Sequence, residues 1–353
     1  MFYFDWRKSD LDANSYFFIV YIGLILGVLS IVLLYLFRKN LETWYIRKNQ
    51  IQFKVTLFYR IKNWFVFIGV LIWLFSYISR TILLEINDYI YKWEYLPLHL
   101  CRLIVLICAS LMIFNRTNWA KYIVIPGFLG SILALSFPQI GFDAGIVMDD
   151  IEFQGIKVNQ NVSESELMNL AKTKNLGINW APDNYLFWEF IISHLLSLVL
   201  PFFLTFINGK NSKLDIKSFW KSILFTFLMA SFTFFLSWTI EKIIENQGDN
   251  RLKIAWNGNW FYMGKDGQPT IGELGKWPWN FPVLTIIFLF AFFIVFLTKM
   301  FLEKLNFYLL IVNSKIEIKH KPKSWKQVLT QNNLSQRWIK LLTKIIKKIQ
   351  LLF

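Results

Sequence analysis

Seven long apolar runs take up about half of this chain, and nothing else in it constrains the fold as strongly. About 20 apolar residues in a helix cross about 30 Å of hydrocarbon. Windows of that length place spans at 16–37, 64–84, 94–114, 120–140, 184–207, 218–244 and 279–302. The expected fold is therefore all-α and polytopic: a seven-helix transmembrane bundle over residues 1–302, followed by a basic tail, 303–353. No secretory signal is expected ahead of the first run, because Asp5, Asp10 and Asp12 crowd the first residues and no small-residue cleavage site follows.

Lys and Arg residues set the orientation. The links between spans 1 and 2, 3 and 4, and 5 and 6, together with the tail, carry 24 of them, against 10 on the opposite side. A cell-membrane protein with its amino terminus outside and its carboxyl terminus cytoplasmic is the consequence. The net charge of +15 is mostly this excess, so the expected partners are membrane lipids and not nucleic acid. From 334 to 353, Leu334, Trp338, Leu341, Ile345 and Ile349 keep helical spacing while Arg337, Lys340, Lys344 and Lys348 take the other side. That pattern predicts an interfacial amphipathic helix lying on anionic headgroups. The long outside insertion, 141–183, is acidic; Ser163 and Glu166 form a capping-box pattern for a short helix, and Asp149–Asp150 could attract a cation.

An ionisable side chain at the bilayer centre costs about 2.5–3.5 kcal/mol even on insertion scales, so the positions that carry one are informative. Arg80, His99, Arg102, Glu189 and His194 all fall in the outer half of the bundle. At 1.5 Å per residue, His99 and Glu189 lie roughly 7 Å deep, Arg102 roughly 12 Å and His194 roughly 15 Å. An outward-open polar cavity lined by these groups is expected, with pairing of Arg102 and Glu189, or snorkelling to headgroups, as the structural alternative. Pro97 fits a first helical turn, which would place His99 and Arg102 on one helical face. Cys101 is two residues from His99 and points elsewhere, so a base for its thiol would have to come from another helix, with His194 the candidate.

Leu96-Pro97-Leu98-His99-Leu100-Cys101, Gly258-Asn259-Trp260-Phe261-Tyr262-Met263 with Pro269, and Gly275-Lys276-Trp277-Pro278-Trp279 together resemble the YwaF family of bacterial integral membrane proteins. The resemblance covers roughly residues 64–302. It departs at Trp260, where the family has tyrosine, at Lys276, where it has proline, and in the length of 141–183. The family is similar at long range to eukaryotic membrane proteins that transfer or hydrolyse fatty-acyl groups, which implies acyl chemistry on a lipid.

The resulting functional expectation is acyl transfer or ester hydrolysis on outer-leaflet lipid. His99 or His194 would act as base, Cys101 or a lipid or water hydroxyl as nucleophile. Arg102, Glu189, Arg80 and Asn259 would bind substrate, the last from a lid formed by 258–279. No metal or cofactor motif is present, and none is expected. The alternatives are a transporter or binding protein for a small anionic or proton-coupled solute, and a structural membrane protein without catalysis.

Overall fold

The structure, a computed structural model, describes residues 15–50, 61–86, 92–138, 184–247, 258–264 and 269–334, with short pieces of the segments between them. Helix α1 spans Ser15–Leu36 and is followed by the polar α2, Arg38–Gln50. Helix α3, Ile61–Trp73, passes through a π-helical turn, Leu74–Ile78, into α4, Ser79–Ile86. A 3-10 turn at Lys92–Tyr95 leads to α5, Leu100–Ile113. A second 3-10 segment, Thr117–Tyr122, leads to α6, Val124–Ser136. Then come α7, Tyr185–Asn208, α8, Ile216–Gln247, and α9, Asn280–Leu305. A hairpin of β1, Phe307–Val312, and β2, Lys315–His320, precedes α10, Trp325–Gln331.

Six helical stretches are long and apolar enough to cross a membrane, so this is a multi-pass membrane protein. They are Tyr16–Leu36, Asn63–Ile86, Lys92–Ile113, Tyr185–Ser212, Ile216–Gln247 and Asn280–Leu305. The run expected to span 120–140 is different: α6 has 13 residues, about 20 Å of helix. Its start is displaced by the 3-10 segment, and it stops just before Pro138, whose ring disfavours helical backbone at Phe137.

Burial orders the bundle. The stretches containing α5 and α7 are 44% and 39% buried, whereas those of α1 and α9 are each 17% buried. Helices α5 and α7 are thus the centre. The periphery shows large apolar side chains to the surroundings, among them Phe18, Ile25, Ile286 and Phe290, as hydrocarbon solvent permits.

Two glycines of α6 allow its close approach to that centre. A Cβ on Gly127 would lie 2.8 Å from the Ser197 carbonyl oxygen, and one on Gly130 would lie 2.9 Å from Leu100 Cδ2 and 3.3 Å from Cys101 Sγ. The Ser197 carbonyl is also the one that Pro201, inside α7, cannot serve, since proline has no N–H to give to the residue four back.

At the opposite end of the bundle, Asp215 accepts hydrogen bonds from Ser218 N and Oγ, both at 2.9 Å, and from Asn333 Nδ2 at 2.5 Å. Burial pushes its carboxyl pKa up, but these hydrogen bonds outweigh it and hold the group below the usual carboxylate range. Its contribution is therefore present above the unfolded value of about 3.9 and lost as pH falls through the lower folded one. Asp215→Ala should cost about 1 kcal/mol, the usual loss for a helix-start acceptor, read as a lower melting temperature near pH 7.

The 334–353 helix lies outside the described residues apart from Leu334, as do the Ser163–Glu166 capping pattern and Asp149–Asp150. Of the 141–183 insertion, the structure describes short strand pairs, Ile146–Val147 with Glu152–Phe153 and that with Ile156–Lys157; Gly177–Ile178 pairs with Arg7–Lys8. The β1–β2 hairpin is an element that reading 303–353 as a basic tail does not anticipate.

Candidate active site

Four charged side chains from four segments meet at the start of α5. Arg102 donates from Nε to Glu189 Oε1 at 3.0 Å and from Nη2 to Glu189 Oε2 at 2.8 Å, a two-pronged pair between α5 and α7. Its Nη1 lies 3.4 Å from Glu94 Oε2 in the 92–95 turn. Arg80, on α4, donates from Nη2 to the same Glu94 oxygen at 2.7 Å and from Nη1 to the Glu94 carbonyl at 2.6 Å. Its Nε stands 3.7 Å from Glu189 Oε2, beyond hydrogen-bond range. Tyr89 donates its hydroxyl to Glu94 Oε1 at 3.4 Å.

The extra residue in the π turn explains how Arg80 reaches this cluster. An inserted residue advances the following helix by about 100°, and Ser79 steadies the widened turn by donating Oγ to the Leu74 carbonyl at 2.8 Å. Arg80 then faces inward with 2% of its surface exposed, while Ile82 and Ile86 face outward. Such turns recur at functional sites.

Two guanidinium groups and two carboxylates cancel. An incoming anion therefore meets N–H donors but no net positive charge. With Glu94, the side chains of Arg80, Arg102 and Glu189 tie α4, the 92–95 turn, α5 and α7 together. Arg102 and Glu94 keep 15% and 13% of their side chains exposed, so the cluster is not sealed.

Next to Arg102 in the chain, Cys101 lies close to His194 of α7. His194 Nδ1 lies 2.6 Å from the Phe190 carbonyl oxygen, its own helix four residues back. A carbonyl only accepts, so Nδ1 carries the hydrogen and Nε2 is left with the lone pair that can take a thiol proton. Ser131 on α6 is fully buried and donates its hydroxyl to Cys101 Sγ at 3.8 Å. The Ser197 hydroxyl is buried near the same sulfur and makes no conventional hydrogen bond. Cys101 is the second residue of α5, whose start has no side-chain cap. The amides of Leu100, Cys101 and Arg102 thus point toward the sulfur's end of the helix without partners in it.

His99 is placed differently from expectation. Helix α5 starts at Leu100, and His99 precedes it in extended conformation with φ −63° and ψ 134°. Pro97 accordingly sits before the helix and not in its first turn. The His99 ring packs on Trp93 at 5.2 Å between centroids, and Trp93 meets the fully buried Trp260 edge-on at 5.8 Å. His99 is therefore a wall of the site, one ring away from the 258–264 segment.

Asn259 serves that segment: its Oδ1 accepts from Gly264 N at 3.1 Å. Asn280, at the start of α9, donates to the carbonyls of Tyr262 and Gly264, each at 2.9 Å. Among the described residues, no group of His, Cys, Asp and Glu could hold a metal ion. Sequence reasoning missed Ser131 and the pairing role of Glu94. Ser131 sits in a glycine-containing helix with no polar periodicity to mark it, and Glu94 reads simply as the residue where a span begins.

Residues 11–296 match the family model described as the TMEM164 family, a family of membrane proteins. No curated protein and no solved structure matches the chain.

Proposed function

Because the chain belongs to the TMEM164 family, we propose that it is a membrane-embedded enzyme that moves a fatty-acyl group of a lipid through Cys101. The contact between Cys101 and a tautomer-fixed His194 carries this reading. Nε2 of His194 takes the thiol proton, and the thiolate attacks the carbonyl carbon of a lipid ester. A C–S bond forms and the ester C–O bond breaks, with the imidazolium returning its proton to the departing alkoxide. The acyl group then rests on sulfur as a thioester. A second hydroxyl, of a lysolipid or of water, gives its proton to His194 and takes the acyl group, regenerating the thiol. The amides at the start of α5 face the tetrahedral oxyanion, and the neutral Arg–Glu cluster holds α5 and α7 in register.

A cleft of about 210 Å³ between α8 and α9 supports a lipid as substrate. Phe227 and Leu289 stand at its exposed rim, while Phe261, Met263, Ala230 and Phe292 form a buried floor. Part of that floor belongs to the same apolar cluster as Leu100, the neighbour of Cys101. We read α6 as a seventh crossing that returns the chain between α5 and α7, the amino terminus as outside, and the substrate as outer-leaflet lipid; the resemblance to YwaF agrees with acyl chemistry. His99 is a wall of the pocket, and the 258–264 segment covers it.

The test is a lipid assay on purified protein in lipid nanodiscs, with an isotope-labelled acyl chain and an added lysolipid. Labelled acyl should move to the acceptor. His194→Gln should reduce the rate by roughly 10²–10⁴-fold, the usual worth of a general base. Folded wild-type protein that moves no acyl group across a panel of phospholipids, or a His194→Gln variant as fast as wild type, would rule the scheme out. Gly130→Ala offers a second probe: its methyl would press Leu100 and the Cys101 sulfur, and activity should fall at least tenfold with the helical content intact by circular dichroism.

A further inference from the structure

We propose that the β1–β2 hairpin is a membrane-inserting anchor, a second lipid-binding surface separate from the acyl site. The register pairs Phe307 with His320, Leu309 with Ile318 and Ile311 with Ile316. These pairs share one face, since side chains alternate along a strand. The other face pairs Tyr308 with Lys319, Leu310 with Glu317 and Val312 with Lys315. On the first face Ile311, Ile316 and Ile318 are 56%, 62% and 68% exposed, an apolar surface that water would penalise.

The root of the hairpin fixes where that face lies. Arg38 Nη1 donates to the carbonyls of Tyr35 at 2.6 Å and Phe307 at 2.8 Å, and its guanidinium sits 4.0 Å over the Tyr35 ring. Tyr35 in turn donates its hydroxyl to the Leu302 carbonyl at 2.9 Å. The hairpin therefore starts where α1 and α9 end, at the edge of the hydrocarbon layer. Asn40 pins the backbone edge of β1 to α2 through Leu309 O at 2.9 Å and Ile311 N at 3.1 Å. Tyr308 turns toward Arg38, so the isoleucine face is the one left over. Phe301, Leu302 and Leu305 at the end of α9 are exposed and apolar as well.

Charge selects the occupant. Between 303 and 323 the chain carries Lys304, Lys315, Lys319, Lys321 and Lys323 against Glu303 and Glu317. Isoleucines rimmed by lysines match the boundary of an anionic leaflet, which attracts basic residues near its surface. Asn313 and Ser314, both at positive φ, close the hairpin tightly, so the face is presented as a rigid blade. The hairpin lies beyond residue 296, where the family match ends.

Nitroxide labels on single added cysteines test it, in full-length protein in liposomes containing one-third phosphatidylglycerol. Labelled wild type sets the background from the buried native cysteines. Ile316→Cys and Ile318→Cys labels should collide preferentially with oxygen, and a Lys319→Cys label with a water-soluble nickel chelate. Replacing phosphatidylglycerol by phosphatidylcholine should shrink the oxygen preference at 316 and 318. Nickel access at all three positions would show a solvent-facing hairpin and overturn the proposal. Exclusion of both reagents at 316 and 318 would equally overturn it, because the face would then be covered by protein, such as this chain's own 335–353 segment or a second copy.

Discussion

Cys101→Ala should abolish acyl transfer, lowering turnover by about 10³-fold or more, as removal of a nucleophile does in enzymes that work through a covalent intermediate. The chain's other cysteine is no substitute. Cys108, seven residues on, is fully buried, about 10.5 Å farther along the helix. The variant should fold, because Cys101 contributes little volume to a wall already made by Leu100, Ile104 and Ser131. Cys108→Ser should retain turnover, which separates loss of the nucleophile from loss of a cysteine. Acyl transfer in nanodiscs, normalised to folded protein, is the measurement.

Glu189→Ala should remove the protein from the membrane altogether. It takes both partners of the Arg102 fork and leaves two buried guanidinium groups against one carboxylate. Stranding a buried charge costs about 3–5 kcal/mol, a large share of the 5–15 kcal/mol by which domains are typically stable. The double variant Arg102→Met/Glu189→Leu should restore the fold. It leaves Arg80 and Glu94 as a neutral pair with their two short hydrogen bonds, and apolar side chains of similar size replace buried ion pairs at little cost. Quantified protein level and melting temperature decide the first point. Acyl transfer in the double variant decides the second: activity within tenfold of wild type supports a framing role, and complete loss in a folded protein would place Arg102 in substrate binding.

How much of this is legible in the sequence depends on range. Long apolar runs need no partner to be recognised, and the expected spans at 184–207, 218–244 and 279–302 lie close to α7, α8 and α9. The run at 120–140 misleads because hydropathy counts apolar residues regardless of backbone, whereas a 3-10 segment and Pro138 shorten the helix to Val124–Ser136. At the site, sequence places charged residues at similar depths but cannot orient them. The Arg102–Glu189 pair is readable as an option, its closure into a four-membered ring with Arg80 and Glu94 is not. The π turn that rotates Arg80 inward has no signature in Leu-Phe-Ser-Tyr-Ile. Cys101 and His194 lie 93 positions apart, so their contact is a property of packing between α5 and α7, helped by the glycines of α6. The hairpin goes unread because the basic charge of the whole tail draws attention away from the short alternation of Lys315-Ile316-Glu317-Ile318-Lys319.

The most direct measurement is intact-protein and peptide mass spectrometry after incubation in nanodiscs with a phospholipid carrying a tagged acyl chain and no hydroxyl acceptor. One acyl group per folded protein is expected, on the peptide that contains Cys101, removable by neutral hydroxylamine and lost in His194→Gln. Acyl transfer that proceeds while Cys101 is never acylated, or an adduct on Cys108 instead, would contradict it.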